Sequence, residues 1–215
     1  MTVLKIDIVS DVSCPWCVIG YKALEQALTR VASSVSADIT WRAFELNPDM
    51  PAAGQDVGEH IQEKYGASPE QSAGNRERIS QMGADLGFEF SYAADNRIYN
   101  TFDAHRLLHW AKQHGKQNAL KLALFDLYFT QRGNPSNAQQ LLSSAESVGL
   151  DCVEAAEILA SNRYTQDVRA EQQQNQQQGI SSVPAFIIND KYMISGGQPV
   201  EYFEQALLKI SQEVG

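Results

Sequence analysis

Four residues, Cys14-Pro15-Trp16-Cys17, close a strand-like run and open a helix-like one. That placement restricts the fold more than the motif itself does. A C-x-x-C alone can be half of a zinc site or a redox pair. Beside a strand–helix unit, in a chain with 3 cysteines among 215 residues, it points to a dithiol site. Upstream, Val3-Leu4-Lys5-Ile6-Asp7-Ile8-Val9 alternates in a strand-like way with β-branched residues. Downstream, Cys17, Tyr21, Leu24, Leu28 and Val31 form one apolar helix stripe. Pro15 then takes the first helical position, where its missing N–H costs nothing.

This arrangement predicts the chemistry. Cys14 falls at a helix N-terminus, where unpaired N–H groups and the macrodipole favour a thiolate. It is expected to be the more exposed and more acidic thiol, and the nucleophile of disulfide exchange. Cys17, one turn further in, is expected to be buried and to resolve a mixed disulfide at Cys14. Pro15 and Trp16 stiffen the first turn and give it an apolar rim, with Trp16 as a platform for substrate.

A second strand-like run, Ala37 to Phe44, completes a β-α-β unit, which should be parallel and right-handed. The pattern then changes. Asn47-Pro48-Asp49-Met50-Pro51-Ala52-Ala53-Gly54 is turn-rich. From about residue 57 to 178 the periodicity is helical. One stripe holds Leu120, Leu124, Leu127 and Tyr128; another helix holds Phe102, Leu107, Leu108, Trp110 and Ala111. Phe88-Glu89-Phe90 reads as an extended connector. Strands return at Ala185–Ile188 and Tyr192–Ser195 around Asn189-Asp190-Lys191, a tight hairpin. A last helix follows from Val200 to about Ser211. The glutamine-rich tract Gln172–Gln178 reads as the solvated face of a helix ended by Gly179. The predicted class is α/β. Its core comprises residues 1–46 and 179–215, and 47–178 form a helical insertion.

The formal net charge of -9 disfavours a partner bound through its phosphates, so no nucleic acid is expected. No apolar run approaches the length of a membrane span, and no membrane association is expected. Met1 leads directly into a strand pattern without a signal-peptide pattern, so the protein is expected to be cytoplasmic. In that setting a thiol pair is more often catalytic than structural. Cys152 reads as a small helix residue. His105 and His109 share a helix face, but no third ligand accompanies them, and helix packing is the expectation. Cys14 and Cys17 have no second ligand pair for zinc. No metal is expected, and nothing in the pattern fixes an oligomeric state.

The order β-α-β, insertion, β-β-α with a C-x-x-C at the first helix resembles the thioredoxin fold. With its helical insertion it is similar to the DsbA family. It is closer still to the signal-less FrnE-type subgroup, related to 2-hydroxychromene-2-carboxylate isomerases. The residues that carry this run nearly the full length. They are Ser10-Asp11 with the dithiol, Trp41-Arg42, Phe44-Glu45-Leu46-Asn47-Pro48, Arg97, Asn100-Thr101, Ala104-His105-Arg106-Leu107 and Trp110-Ala111. They continue with Val183-Pro184-Ala185-Phe186, Lys191-Tyr192 and Ser195-Gly196-Gly197-Gln198-Pro199. Ser181-Ser182 departs from the pattern, which has a glycine next to the valine.

The resemblance implies a cis bond before Pro184, facing the dithiol and exposing the backbone of Val183 to an extended peptide or glutathione. From sequence alone, Pro184 is simply tolerated at a strand start. Gly196-Gly197-Gln198 opens a helix. It is either a plain turn or a seat for the carboxylate of glutathione or a peptide. Asn47 is expected to shape the loop beside the site.

The expected function is thiol–disulfide oxidoreductase, acting on a disulfide- or thiol-containing protein or small molecule. No cofactor is required, and glutathione is a plausible redox partner or ligand. A glutathione-dependent isomerase or transferase on the same fold is the first alternative; it would leave Cys17 without a purpose. A non-catalytic binding module built on the insertion is the second. The insertion is expected to cover one side of the dithiol and to choose the substrate.

Overall fold

Strand β1 (Thr2–Ser10) runs through the middle of the molecule. Its second half is buried on both faces, because elements pack on either side of it; such strands lose the simple alternation. It pairs in parallel with β2 (Val35–Ala43), with Ile6 opposite Ile39. On its other side it pairs antiparallel with β5 (Ala185–Ile188), which turns into β6 (Tyr192–Ser195). The sheet order is therefore β2-β1-β5-β6. In the hairpin turn Asn189 and Asp190 have φ of 51° and 55°, the left-handed pair that matches strand twist.

The computed structural model describes residues 1–51, 53–93 and 95–214. Ala52 of the turn-rich run, Ala94 of the insertion and Gly215 at the core's C-terminal end lie outside the described residues.

Helix α1 (Pro15–Arg30) has Pro15 in its first turn and buries Cys17, Tyr21 and Leu24. These meet Leu4, Ile6, Ile8, Phe186 and Ile188 of the sheet, with Phe203 and Leu207 of the C-terminal helix. That helix reaches Val214, past the expected Ser211. Phe186 and Phe203 meet edge to face at 4.8 Å, a geometry worth ~1 kcal/mol beyond burial.

The insertion holds β3 (Gln55–Asp56), α2 (Val57–Tyr65), α3 (Pro69–Asp85), β4 (Arg97–Ile98), α4 (Phe102–Gln113) and α5 (Gln117–Phe125). It continues with α6 (Ala138–Ser147), α7 (Cys152–Leu159) and α8 (Thr165–Gln177). The C-terminal helix is thus α9. The expected all-helical insertion needs one correction, since β3 and β4 pair antiparallel. Two-residue strands are too short to show a period of two in the sequence. α5 also runs on into a π-helical turn, Asp126–Thr130, which buries both Leu127 and Phe129. Local chemistry explains the helix starts. Asp56, Asn137 and Asp151 each accept a first-turn N–H, and Ser68 with Gln71 closes a reciprocal cap ahead of Pro69. A second apolar cluster, with Leu107, Trp110, Leu120, Leu124 and Ile158, holds α4 to α7 together, while Ile79 of α3 packs with the sheet-side cluster.

The seam between the halves follows the open edge of β2. An unpaired edge leaves backbone donors and acceptors that must find partners. Gln117 of α5 supplies both groups, bonding Trp41 N–H and C=O at 2.9 Å each. Glu171 of α8 accepts from Ala43 N at 2.7 Å, and Asn175 donates to Ala43 O at 3.0 Å. Side chains of the insertion thus complete the sheet as a further strand would.

Candidate active site

β1 ends at Ser10, and a short turn delivers Cys14 as the residue capping α1, with extended φ of −94° and ψ of 111°. Cys14 N–H donates to Asp11 O at 3.3 Å, and Cys17 N–H donates to Cys14 O at 3.1 Å. The two cysteines are one turn apart, and both are free thiols. Their exposures are 3% and 0%. The expected exposed Cys14 is therefore not observed. The cis Val183-Pro184 bond brings a loop over it, and the Cys14 thiol donates to Val183 O at 3.7 Å. The loop facing the dithiol is thus the one the resemblance implied. Pro184 is buried, while Val183, Pro15 and Trp16 are half-buried around it.

Gly197 fixes this loop against α1. A Cβ there would lie 3.2 Å from Trp16 O and 3.4 Å from Gly20 N, so a side chain would push the β6–α9 turn off the first turn of the dithiol helix. Gly196 N–H is used by Pro184 O at 2.8 Å, and Gln198 N–H by Gly196 O at 3.1 Å. The Gln198 side-chain amide donates to Ser195 O at 2.8 Å. Gly196 N–H thus ties the turn to the Val183-Pro184 loop, and Gln198 bonds within the turn.

Beneath the thiols lies a buried polar layer. Asp11 is 1% exposed; its carboxylate accepts from Leu46 N at 2.7 Å and Ser13 N at 3.3 Å. His105 of α4, 2% exposed, brings Nε2 to 3.5 Å from Asp11 Oδ1, an ion-pair distance longer than a good hydrogen bond. Lys121 of α5 is 1% exposed. Burial alone would raise the Asp11 carboxyl; His105, the Leu46 N–H and Lys121 outweigh it and hold it below the ordinary range. Burial pushes the Lys121 ammonium down to about 8, against the pull of Cys17, Asp11 and Cys14.

The thiols ionise as a pair. Burial disfavours a charged Cys17, but the Cys14 thiol, Lys121, Ser10 and the Asp11 backbone outweigh it, and Cys17 falls below its ordinary value. The hydrogen bond to Cys17, burial and the Cys17 charge then raise Cys14 well above its own. The two directions run against the order that the helix terminus alone would set: that terminus favours charge at Cys14, while the Cys14 thiol, Lys121, Ser10 and the Asp11 backbone favour it at Cys17.

The insertion forms the outer wall. The guanidinium of Arg78, on α3, lies 5.3 Å from the Trp16 ring centroid. Tyr65 and Tyr92 lie close enough to the dithiol for a Cys14 charge to raise both phenols, although burial is the larger cause. Asn47 Oδ1 accepts from Lys64 Nζ at 2.7 Å, and the same ammonium donates to Leu46 O at 2.8 Å. They line a cleft of about 650 Å³ between the 46–51 turn and α2, one residue from the Leu46 N–H that holds Asp11. This cleft is lined by the 46–51 turn and α2 and by neither the dithiol nor Val183-Pro184.

Residues 5–208 match the family model described as DSBA-like thioredoxin domain. The chain belongs to the DsbA-like thioredoxin-domain family. A DsbA-like protein of known structure, the probable DsbA oxidoreductase SCO1869 of Streptomyces coelicolor, is 32% identical and superposes with a TM-score of 0.88 over 98% of this chain and 91% of that one. The uncharacterized protein YwbO of Bacillus subtilis is 28% identical over 209 residues, 96% of each chain. The cytosolic disulfide reductase DsbM of Pseudomonas aeruginosa, solved with GSH, shares the fold: TM-score 0.65, 16% identity, 97% of this chain and 99% of that one.

Of the residues singled out from the sequence, the DsbA-like fold brings Cys14, Pro15, Trp16, Cys17, Val183, Pro184 and Gly197 together. Asn47 stands at the cleft, and Gln198 turns back on its own loop. Lys121 was not singled out. Its signal was a lone charge in Leu120-Lys121-Leu122-Ala123-Leu124.

Proposed function

We propose that this protein is a thiol–disulfide oxidoreductase in which Cys14 forms the mixed disulfide and Cys17 resolves it. The observation that carries the reading is the Cys14 thiol lying against the Val183 carbonyl, with Cys17 one turn below. Movement of the shared proton from Cys14 to Cys17 leaves a Cys14 thiolate. That thiolate attacks one sulfur of a substrate disulfide R–S–S–R′ and releases R′S⁻, which takes up a proton. Cys17 gives its proton to R′S⁻ and, as a thiolate, attacks Cys14 Sγ; the Cys14–Cys17 bond forms, the Cys14–substrate bond breaks, and RS⁻ leaves to be protonated by solvent. Two electrons pass from dithiol to substrate, and the reverse sequence oxidises a substrate dithiol. Val183 offers backbone groups to an extended chain, and Trp16 an apolar platform.

The substrate class is a disulfide- or thiol-containing protein, peptide or small molecule, with glutathione as redox partner. Two observations support glutathione in that role: DsbM, which shares the fold, was solved with GSH, and a peptide carbonyl faces the Cys14 thiol. No metal or prosthetic group takes part in this scheme. No described helix is long and apolar enough to cross a membrane. The presence of both cysteines disfavours the glutathione-dependent isomerase reading.

The test mixes the reduced protein with glutathione disulfide and follows free thiol. Wild type should exchange, Cys14→Ser should not, and Cys17→Ser should accumulate a mixed disulfide at Cys14, seen by mass. Exchange that persists undiminished in Cys14→Ser would overturn the assignment.

A further inference from the structure

We propose that Arg78, supplied by the helical insertion, is a specificity-determining residue that favours disulfides carrying a carboxylate close to the reacting sulfur. The proposal deepens the oxidoreductase reading and rests on it. Arg78 stands midway along α3, a helix fixed at several points. The reciprocal cap of Ser68 and Gln71 sets its start, and Ile79 is buried in the sheet-side cluster. Gly83 lies so close to Phe90 that a Cβ there would meet the ring at 2.5 Å. From this helix the exposed side chain of Arg78 reaches the dithiol turn. Its guanidinium lies 5.3 Å from the ring centroid of Trp16, the residue directly before Cys17.

The charge of Arg78 is available to a ligand. Arg30, Arg42, Arg106, Arg132, Arg163 and Arg169 each lie within ion-pair distance of a carboxylate. Arg97 donates to the carbonyls of Ala53 and Gly54. Among the described residues Arg78 meets no carboxylate. Its guanidinium reaches the Asn75 side-chain oxygen at 3.4 Å, long for a hydrogen bond. Ser72, Ile79 and Gly83 mark the buried face of α3, and the helical period puts neighbouring Glu77 on the outer face. A second cation adds to the field. Arg76 is half-buried on the same helix, and burial raises the Tyr92 phenol against its pull, with a Cys14 charge adding to the rise. A chain of net charge -9 repels most anions, and cations over the dithiol turn reverse that locally.

The stack on Trp16 prepares the arginine for recognition. A guanidinium laid on an indole keeps its planar fork in place, and the fork matches a carboxylate through paired N–H···O bonds. A disulfide joined at Cys14 has the Val183 carbonyl within reach and the Trp16–Arg78 stack in the same helical turn. A carboxylate on a short arm from that sulfur meets the fork. A neutral arm gains nothing there, and a cationic arm is repelled. Arg78 touches the flank of the substrate and no reacting atom, so it selects and does not catalyse.

The experiment measures the second-order rate constant for oxidation of the reduced protein by disulfides of similar size and different charge. They are dithiodipropionate (anionic), hydroxyethyl disulfide (neutral) and cystamine (cationic). In Arg78→Met, which keeps a cover on Trp16, the rate with dithiodipropionate should fall about fivefold, the worth of one exposed ion pair. The rate with hydroxyethyl disulfide should stay, and that with cystamine should rise. Arg78→Glu should enlarge both changes, and Arg78→Lys should keep part of the anionic preference. Salt at about 0.5 M should shrink the difference between wild type and Arg78→Met. Equal changes with all the disulfides, or no change with dithiodipropionate, would overturn the proposal and leave Arg78 as a cover for the indole. If wild type reacts with none of them, the oxidoreductase reading fails and this proposal with it.

Discussion

The sheet core and the seam beside it are both buried, yet they are made of different residues. On the sheet side Leu4, Ile6, Ile8, Leu24, Phe186, Phe203 and Leu207 form an apolar interior. The insertion's own interior, around Leu107, Trp110, Leu120, Leu124 and Ile158, is equally apolar. Between them the buried groups are Asp7, Asp11, His105, Gln117 and Lys121. Apolar packing tolerates no titration and makes the two halves stable. The seam carries a standing cost in desolvated charge, and it lies directly under the dithiol. The difference teaches that stability and redox chemistry occupy separate layers here, so mutations in each should separate too.

The largest effect should come from the insertion's interior. Trp110→Ala removes a fully buried indole and should cost ~3–5 kcal/mol, read by urea unfolding. The folded fraction should retain its pH profile of disulfide exchange. A shifted profile would show that the two layers are not separate. Next comes the seam's structural part. Gln117→Leu leaves Trp41 N–H and C=O without partners and should cost ~2–4 kcal/mol, at ~1–2 kcal/mol for each of the two orphaned groups. Because Gln117 also anchors α5 to β2 beside the site, exchange should slow as that helix shifts. A stability loss without any slowing would sharpen the division further.

The same division explains what could be read from the sequence. β1, α1, β2, β5, β6 and α9 follow from period-two and period-3.6 patterns, because local burial writes those patterns directly. The dithiol follows from its place between two of them. The polar layer does not, since its members come from β1, α4 and α5, and only tertiary packing brings them together. His105 looked like a helix-packing residue because its partner, Asp11, lies far off in sequence. β3 and β4 escaped because two-residue strands leave no period. The groups that act on the thiols divide in the same way: the helix terminus at Cys14 is local, whereas one cation that favours charge on Cys17 arrives from the insertion.

The third effect is smaller and opposite in sign. In a Cys14→Ser/Cys17→Ser background, no thiolate compensates the buried ammonium. Lys121→Met should then stabilise the protein by ~1–3 kcal/mol at pH 7. The pH dependence has a definite direction. With the thiols in place the folded amine titrates near 8 and without them lower still, against 10.5 for the ordinary amine, so across that window the unfolded chain binds more protons and stability rises with pH. The lysine protein should therefore gain on the methionine variant from below pH 8 up to 10.5. Parallel stability curves for the two would mean that the amine is not desolvated, and the contrast between the layers would weaken.

The smallest effect belongs to the outer wall, and it separates selection from chemistry. Lys64 Nζ is exposed and ties α2 to Leu46 O and Asn47 Oδ1 across the cleft. Hydrogen bonds open to solvent are weak, so Lys64→Met should cost under ~1 kcal/mol. The dithiol lies beneath a different surface, and its pH profile should not move. Lys64 nevertheless sets a cation beside Asp49 and Glu63 in the cleft lining; a cation attracts acidic ligands, and glutathione disulfide carries several carboxylates. The variant should raise KM for glutathione disulfide a few-fold with kcat unchanged, and should do less to a neutral disulfide such as hydroxyethyl disulfide. Equal KM changes for both would assign Lys64 a purely structural tie. A fall in kcat would mean instead that the cleft transmits to Asp11 through the Leu46 N–H, and that the outer wall belongs to the chemical layer after all.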